Sequence, residues 1–114
     1  MVKEMTREEI LETCNGIYGI FINEELVYIG MTMETFERRW IRHKTYANNP
    51  NLQKAQQNYL YKSMRENRGR VRFEPLLIAP SHFTKRDFKV AEYTLITVHK
   101  PKFNTIGVKT EYKF

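Results

Sequence analysis

GIYGIFINEELVYIG, at residues 16–30, decides the fold because it combines two apolar runs with one polar turn. The runs cover residues 16–22 and 26–30, and the polar tripeptide NEE separates them. Short runs rich in Ile, Val, Tyr and Phe that are joined in this way predict a β-hairpin. Tyr18 and Tyr28 lie in its strands, where a tyrosine ordinarily packs its ring into the core. The hairpin by itself therefore indicates a fold and no function.

The length and composition predict a single domain, residues 1–114. The 114 residues suffice for a modest core, and 41% hydrophobic and 28% charged residues are typical of a soluble globular protein. No apolar run approaches the roughly 20 residues that span a bilayer, so we expect no membrane association. The charged N-terminus lacks the apolar core of a signal peptide, and the single Cys14 excludes an internal disulfide. We therefore expect a cytoplasmic location, in the host cell if the protein is viral.

Basic side chains crowd two segments, residues 38–44 and 54–72, of a chain whose net charge is +6. Because lysine and arginine bind phosphate groups, this distribution favours a nucleic-acid partner. The alternative is a solvated basic surface, and an arginine near a helix end can equally offset the helix dipole. The candidates for contact with DNA are Arg38, Arg42, Lys44, Lys62 and Arg65.

Hydrophobic periodicity and capping residues predict four helices and a third strand. Thr6 opens a capping-box pattern in a short helical leader, residues 1–14. Pro75 implies that the third strand is an edge strand or contains a bulge, and residues 108–114 form a polar tail. The later helices are expected over residues 36–47, 52–67 and 84–99, and the strand over 71–78. Thr32 or Thr35 can cap the first of these helices, an Asn-rich turn precedes the second, and Ser81 or Thr84 can cap the third.

Two helices carry side chains that could do chemistry. Arg39, His43 and Tyr46 have the spacing i, i+4, i+7 and therefore share one helix face. Glu92 lies on or beside the apolar stripe of the last helix, where a carboxylate is costly unless it is paired or binds a cation. Taken singly, each has a plainer interpretation: a solvated arginine, an ordinary histidine, and a glutamate in a salt bridge.

Together with the hairpin, three later segments resemble motifs of the GIY-YIG nuclease family. Gly16-Ile17-Tyr18 and Tyr28-Ile29-Gly30 match the two triplets that name the family. The later matches are the arginine helix at 36–43 (FERRWIRH), the glutamate helix at 91–96 (AEYTLI) and the asparagine motif at 102–107 (KFNTIG). The resemblance thus covers residues 16–107, with the motifs in the family's order.

This resemblance implies both a fold and an activity. The fold is α+β, with a small three-stranded antiparallel sheet flanked by helices and strands at residues 16–22, 26–30 and 71–78. The activity is that of a metal-dependent DNA endonuclease, which hydrolyses phosphodiester bonds and leaves 5′-phosphate and 3′-hydroxyl ends. The implied cofactor is Mg²⁺ or Mn²⁺.

The resemblance also assigns roles to residues of this chain. The implied site comprises Tyr18, Tyr28, Arg39, His43, Glu92 and Asn104. Glu92 would bind the metal, Arg39 would stabilise charge on the phosphate, and Tyr18 would be the general base. Tyr28 and His43 would orient the water or relay the proton. Asn104 would hold the site together by hydrogen bonds to a loop or to the phosphate.

Several alternatives stay open on the sequence. Either tyrosine could be the general base, and Arg38 is the rival of Arg39 as the essential arginine. Met31 stands where many relatives have a lysine or another polar residue. The second function we consider is a non-catalytic nucleic-acid-binding module with the same fold. Because the chain has no room for a separate recognition domain, we expect a monomer or weak dimer that takes its specificity from DNA structure or from a protein partner. The small size would suit a phage or mobile element.

Overall fold

The computed structural model describes residues 4–52 and 58–105. Lys54, Gly107 and the predicted tail at residues 108–114 lie outside the described residues. The helices and strands are, in chain order, α1 (Arg7–Thr13), β1 (Gly16–Ile22), β2 (Glu25–Thr32), α2 (Phe36–Asn48), α3 (Tyr59–Glu66), β3 (Val71–Ile78), α4 (Lys85–His99) and α5 (Lys102–Thr105).

The predicted hairpin is present, with a tighter turn than expected. Asn23 and Glu24 both have positive φ values, 52° and 64°. Positive φ at both central residues is the mark of a two-residue type I′ turn, whose twist suits a hairpin. Glu25, which we had placed in the turn, pairs with Ile22 instead and begins β2.

β1 is the central strand of an antiparallel sheet with the order β2-β1-β3. Because successive strand side chains point to opposite sides, Tyr18, Ile20 and Ile22 share one side and Ile17 lies on the other. We call the side that carries Tyr18 the aromatic face, since Phe73 of β3 stacks on Tyr18 there with ring centroids 4.8 Å apart. The side that carries Ile17 is the aliphatic face.

Helices cover both faces. Phe36 of α2 and Leu60 of α3 are buried against the aromatic face. Ile96 of α4 packs with Ile17 and Ile29 on the aliphatic face. The predicted architecture, an α+β fold with a three-stranded antiparallel sheet flanked by helices, is therefore confirmed.

Irregular pairing bends both outer strands. In β2, Ile20 pairs with Tyr28 but Phe21 pairs with Leu26, so Val27 is an extra residue. A bulge of this kind redirects side chains, and Val27 and Tyr28 both pack against the aromatic face. In β3, the register shifts beside Pro75, which confirms the predicted edge position and bulge.

The helix starts agree with the capping signals in the sequence, with one exception. Thr6, Thr35 and Thr84 each accept a hydrogen bond from the first turn of the following helix. The helix predicted over residues 52–67 does not run through Asn58, which has an extended backbone and caps α3, and residues 53–57 of that prediction lie outside the described residues. Its side chain accepts hydrogen bonds from two backbone N–H groups of that helix, a local interaction that stops a helix from running through the asparagine.

A second correction concerns α4. The spacing of Phe88, Ala91, Leu95 and Val98 predicts one apolar stripe along this helix, but the Val98 side chain is 68% exposed and Ile96 is the buried residue near this end. α4 stops at Lys100, which has a left-handed backbone just before Pro101. Among the described residues, no helix is long and apolar enough to cross a membrane.

Candidate functional site

Tyr18 lies at the centre of a buried group of polar side chains. Its hydroxyl is 2.7 Å from His43 Nε2, and Arg39 Nε donates to it at 3.2 Å. Tyr18 is 0% exposed and His43 is 2% exposed. Arg39 is half-buried, whereas the neighbouring Arg38 is exposed. Arg39, and not Arg38, is therefore the arginine that contacts the first tyrosine.

Local structure explains why α2 delivers these two side chains to Tyr18. Arg39 and His43 are four residues apart and face the same way, as their spacing predicted. The Thr35 side chain caps the helix, and Phe36 N donates to Cys14 O at 3.0 Å, just before β1. This hydrogen bond ties the first turn of α2 to the start of the central strand.

Gly30 makes room for the ring of Tyr18. The two residues are partners across β1 and β2, and a β-carbon at Gly30 would collide with the Tyr18 hydroxyl. The glycine of the second triplet is thus required by the tyrosine of the first. This contact gives the two triplets a physical reason to occur together.

Tyr28 stands beside the same polar group. Its ring centroid is 6.4 Å from that of Tyr18 and 5.8 Å from that of His43, in an edge-on arrangement with the imidazole. Tyr28 is half-buried, so it is more open to solvent than Tyr18. Of the two motif tyrosines, it is the one with a surface that a substrate can reach.

Tyr61 of α3 is a member of the site that the sequence did not reveal. Its hydroxyl is 2.9 Å from His43 Nδ1, so both imidazole nitrogens have a tyrosine partner. Tyr61 is 8% exposed and stacks on Tyr46 with ring centroids 5.7 Å apart. The one available signal was its position three residues before the apolar Met64, which places both on one helix face.

Burial sets the protonation states of these rings. Desolvation raises the pKa of Tyr18 far above its usual value, although the nearby Arg39 charge opposes the shift. Desolvation lowers the pKa of His43 to about 3, and the Arg39 charge lowers it further. Burial also raises the pKa of Tyr61 to about 12. At neutral pH the hydroxyls of Tyr18 and Tyr61 are therefore both protonated, and the His43 imidazole is neutral with one proton.

Glu92 reaches the free edge of β2 from α4. Burial raises the pKa of its carboxyl, and a hydrogen bond from the Met31 backbone and the charge of Arg39 oppose that shift. Arg39 thus acts electrostatically on both Tyr18 and Glu92. Within residues 4–52 and 58–105, no salt bridge neutralises the Glu92 carboxylate.

Asn104 holds α5 to the same edge. Its side chain accepts a hydrogen bond from Ile29 N and donates one to Ile29 O, both at 2.8 Å. Every second residue of an edge strand turns its backbone groups outward, and Ile29 and Met31 are such neighbours on β2. Asn104 and Glu92 therefore bind adjacent backbone positions on β2, and the protein partner of the asparagine is a strand and not the loop that we expected.

The five proposed DNA-binding residues lie in different environments. Arg38, Arg42, Lys44 and Lys62 are exposed. Arg42 pairs with Glu34 at 2.9 Å, and Lys44 lies 5.6 Å from the centre of the Trp40 ring. Arg65 is half-buried and donates to Ala47 O at 3.3 Å, near the end of α2. Its position fits the alternative role of an arginine that satisfies helix carbonyls.

The carboxylates of the described residues limit the kind of metal site that can form. No cluster of three or more His, Cys, Asp or Glu side chains occurs in that part of the chain. Mg²⁺ nevertheless binds through one or two carboxylates while it keeps waters and takes substrate phosphate oxygens. The half-buried Glu92, which has no cationic side chain paired with it among the described residues, fits such a single-carboxylate site.

Comparison with protein-family models, with curated proteins and with solved structures finds no match for this chain. The resemblance to the GIY-YIG nucleases therefore depends on the motif residues of the sequence alone.

Proposed function

We propose that this chain is a metal-dependent DNA endonuclease of the GIY-YIG type. The observation that supports this most strongly is the position of Arg39, whose guanidinium donates to Tyr18 while its charge acts on Glu92. A permanent cation, a carboxylate and two tyrosines are groups that can catalyse phosphodiester hydrolysis.

Arg39 would stabilise the phosphate as negative charge develops on it. Its Nε is used by Tyr18, so the other two guanidinium nitrogens remain for phosphate oxygens. A half-buried cation interacts more strongly with such charge than a cation in bulk water, because the local dielectric constant is lower. The adjacent exposed Arg38 and Arg42 would bind the DNA backbone.

Glu92 would hold Mg²⁺ or Mn²⁺, which supplies Lewis-acid stabilisation of the phosphate when bound. Tyr18 would act as general base, since its hydroxyl has an imidazole nitrogen 2.7 Å away that can accept its proton. Tyr28, half-buried beside it, would orient the attacking water. Asn104 would keep α5 on β2 and so fix the edge at which the Met31 backbone donates to Glu92.

One observation favours a second function, a nucleic-acid-binding module without catalysis. Tyr18 is fully buried and its pKa is raised, which are properties of a core tyrosine as much as of a base. In that case Arg39, Tyr18 and His43 would form a hydrogen-bonded core, and the exposed cations of α2 would bind DNA.

Nicking of supercoiled plasmid tests the two functions against each other. We expect the purified protein to relax the plasmid with Mg²⁺ or Mn²⁺ and not with EDTA. DNA ligase should reseal the nicks, because it needs the 5′-phosphate and 3′-hydroxyl ends that we propose. A protein that retards DNA in a gel but leaves the plasmid supercoiled with every metal would support the binding module and contradict the nuclease.

A further inference from the structure

We propose that Tyr61 is a positioning residue, whose hydroxyl accepts the Nδ1 proton of His43 and completes a hydrogen-bond chain through which Tyr18 loses its proton. The role of this chain in cleavage rests on the proposed nuclease function. The geometry of the chain does not. It joins Arg39 Nε, the Tyr18 hydroxyl, His43 and the Tyr61 hydroxyl through contacts of 3.2, 2.7 and 2.9 Å.

The donors and acceptors in this chain select one tautomer. Arg39 can only donate, so the Tyr18 oxygen is an acceptor toward it. Among the described residues, His43 Nε2 is the one acceptor for the Tyr18 hydroxyl proton. Nε2 must then be unprotonated, and the single imidazole proton lies on Nδ1, where the Tyr61 oxygen accepts it. A buried hydroxyl without an acceptor would be costly, which disfavours the opposite tautomer.

Proton transfer along the chain is balanced at every atom. The Tyr18 proton goes to His43 Nε2, and the Nδ1 proton goes to the Tyr61 oxygen. Tyr61, which at 8% is more exposed than Tyr18 and His43, releases its own hydroxyl proton to water. His43 and Tyr61 end neutral, and the Tyr18 phenolate keeps two donors, Arg39 Nε–H and His43 Nε2–H. No imidazolium ion forms, in keeping with the buried position of His43 beside Arg39.

The titratable and charged side chains around this hydrogen-bond chain come from three further elements as well as α3. β1 contributes Tyr18, β2 contributes Tyr28, and α2 contributes Arg39 and Tyr46. Tyr46 offers a matched control, because it stacks on Tyr61 and the hydroxyl-to-hydrogen change leaves its ring in place. Removing the Tyr61 hydroxyl breaks the chain, whereas removing the Tyr46 hydroxyl does not touch it.

¹⁵N NMR of the His43 imidazole in the free protein tests the positioning role without any need for activity. We expect the wild type and Tyr46→Phe to show a protonated Nδ1 and an unprotonated Nε2. Tyr61→Phe should keep this tautomer, because Tyr18 still donates to Nε2, but its Nδ1 resonance should move to that of an N–H group without a hydrogen-bond acceptor. An Nε2-protonated wild type, or an Nδ1 resonance unchanged in Tyr61→Phe, would overturn the proposal.

Single-turnover cleavage of plasmid tests the effect on catalysis. General-base catalysis contributes roughly 100-fold or more, so we expect Tyr61→Phe to slow cleavage about tenfold with unchanged DNA affinity. Tyr46→Phe should cleave at the wild-type rate. A changed Nδ1 resonance without slower cleavage would contradict the proton path. A wild type that never cleaves would contradict the nuclease function, and the Nδ1 resonance would still decide the positioning role.

Discussion

The two faces of the sheet share one central strand and bury different chemistry. The buried cluster of the aliphatic face consists of Ile17, Ile29 and Ile96. The aromatic face instead buries a tyrosine and a histidine at its centre, linked to an arginine. Buried polar atoms cost free energy unless they are paired, and within the described residues none lacks a hydrogen-bond partner.

This difference indicates which face carries function. An apolar cluster stabilises the fold at lower risk, because it has no polar atom to leave unpaired. A protein that nevertheless buries a hydrogen-bonded chain there retains a feature that packing alone does not explain. The β2 edge, which Glu92 of α4 and Asn104 of α5 contact, lies next to both faces, and Arg39 acts on the aromatic face and on Glu92.

The largest expected effect concerns the guanidinium that joins these regions. Arg39→Lys keeps the charge but loses the fixed donor to Tyr18 and the forked contact to phosphate. Loss of one oxyanion donor costs about 100-fold or more in rate, and we expect at least that in single-turnover plasmid cleavage. Arg38→Lys, one residue away and exposed, keeps its charge and should change the cleavage rate less than about threefold, because exposed charges contribute little energy. Equal losses in both variants would contradict the assignment of Arg39.

Acid should weaken the aromatic face through His43. The pKa of His43 is about 3 in the folded protein and 6.5 for an unperturbed imidazole, so the unfolded protein binds more protons between these limits. This contribution to stability is complete above about pH 6.5 and is lost as the pH falls toward 3. The slope is up to about 1.4 kcal/mol per pH unit.

Urea unfolding of the wild type and His43→Gln across pH 4 to 7 measures this contribution. We expect the stability difference between the two proteins to shrink as the pH falls, since glutamine does not titrate. A constant difference over that range would contradict the neutral, buried histidine.

Matched substitutions on the two faces sharpen the comparison further. Tyr18→Phe removes only a hydroxyl, but it leaves His43 Nε2 and Arg39 Nε without their shared partner. Leaving buried polar groups unpaired costs about 1–3 kcal/mol in the free energy of unfolding. Ile17→Val, on the aliphatic face, should cost about 0.5–1.5 kcal/mol. Denaturant titration measures both, and a Tyr18→Phe variant as stable as the wild type would show that the polar chain adds no stability.

The smallest effect is expected at the β2 edge. Asn104→Ala removes two hydrogen bonds to Ile29, but water can replace part of them at a half-buried position. We expect a loss of about 1 kcal/mol in stability, a net value typical of such bonds. Asn51→Ala, in an exposed turn, is the control and should have no measurable effect. A loss of stability larger than that of Tyr18→Phe would mean that hydrogen bonds at the β2 edge, and not those of the aromatic face, contribute more to stability.

The sequence predicted what local signals determine. Alternation and turn composition located the hairpin, capping threonines located three helices, and the spacing of Arg39 and His43 placed both on one helix face. The bulge at Val27 and the contact between His43 and Tyr61 were not predictable, because they depend on strand register and on packing between residues far apart in sequence. The capping role of Asn58 was only partly predictable, since an asparagine inside a helical pattern can either cap a new helix or lie within a continuous one.

The most direct test of the nuclease site is metal-dependent plasmid nicking by the matched variants Glu92→Gln and Glu34→Gln. Both changes remove one negative charge at nearly constant shape, but Glu34 is exposed and paired with Arg42. We predict that Glu92→Gln loses at least about 100-fold in nicking rate with Mg²⁺ while it still binds DNA, and that Glu34→Gln cuts like the wild type. Equal nicking by Glu92→Gln and the wild type would contradict the proposed site.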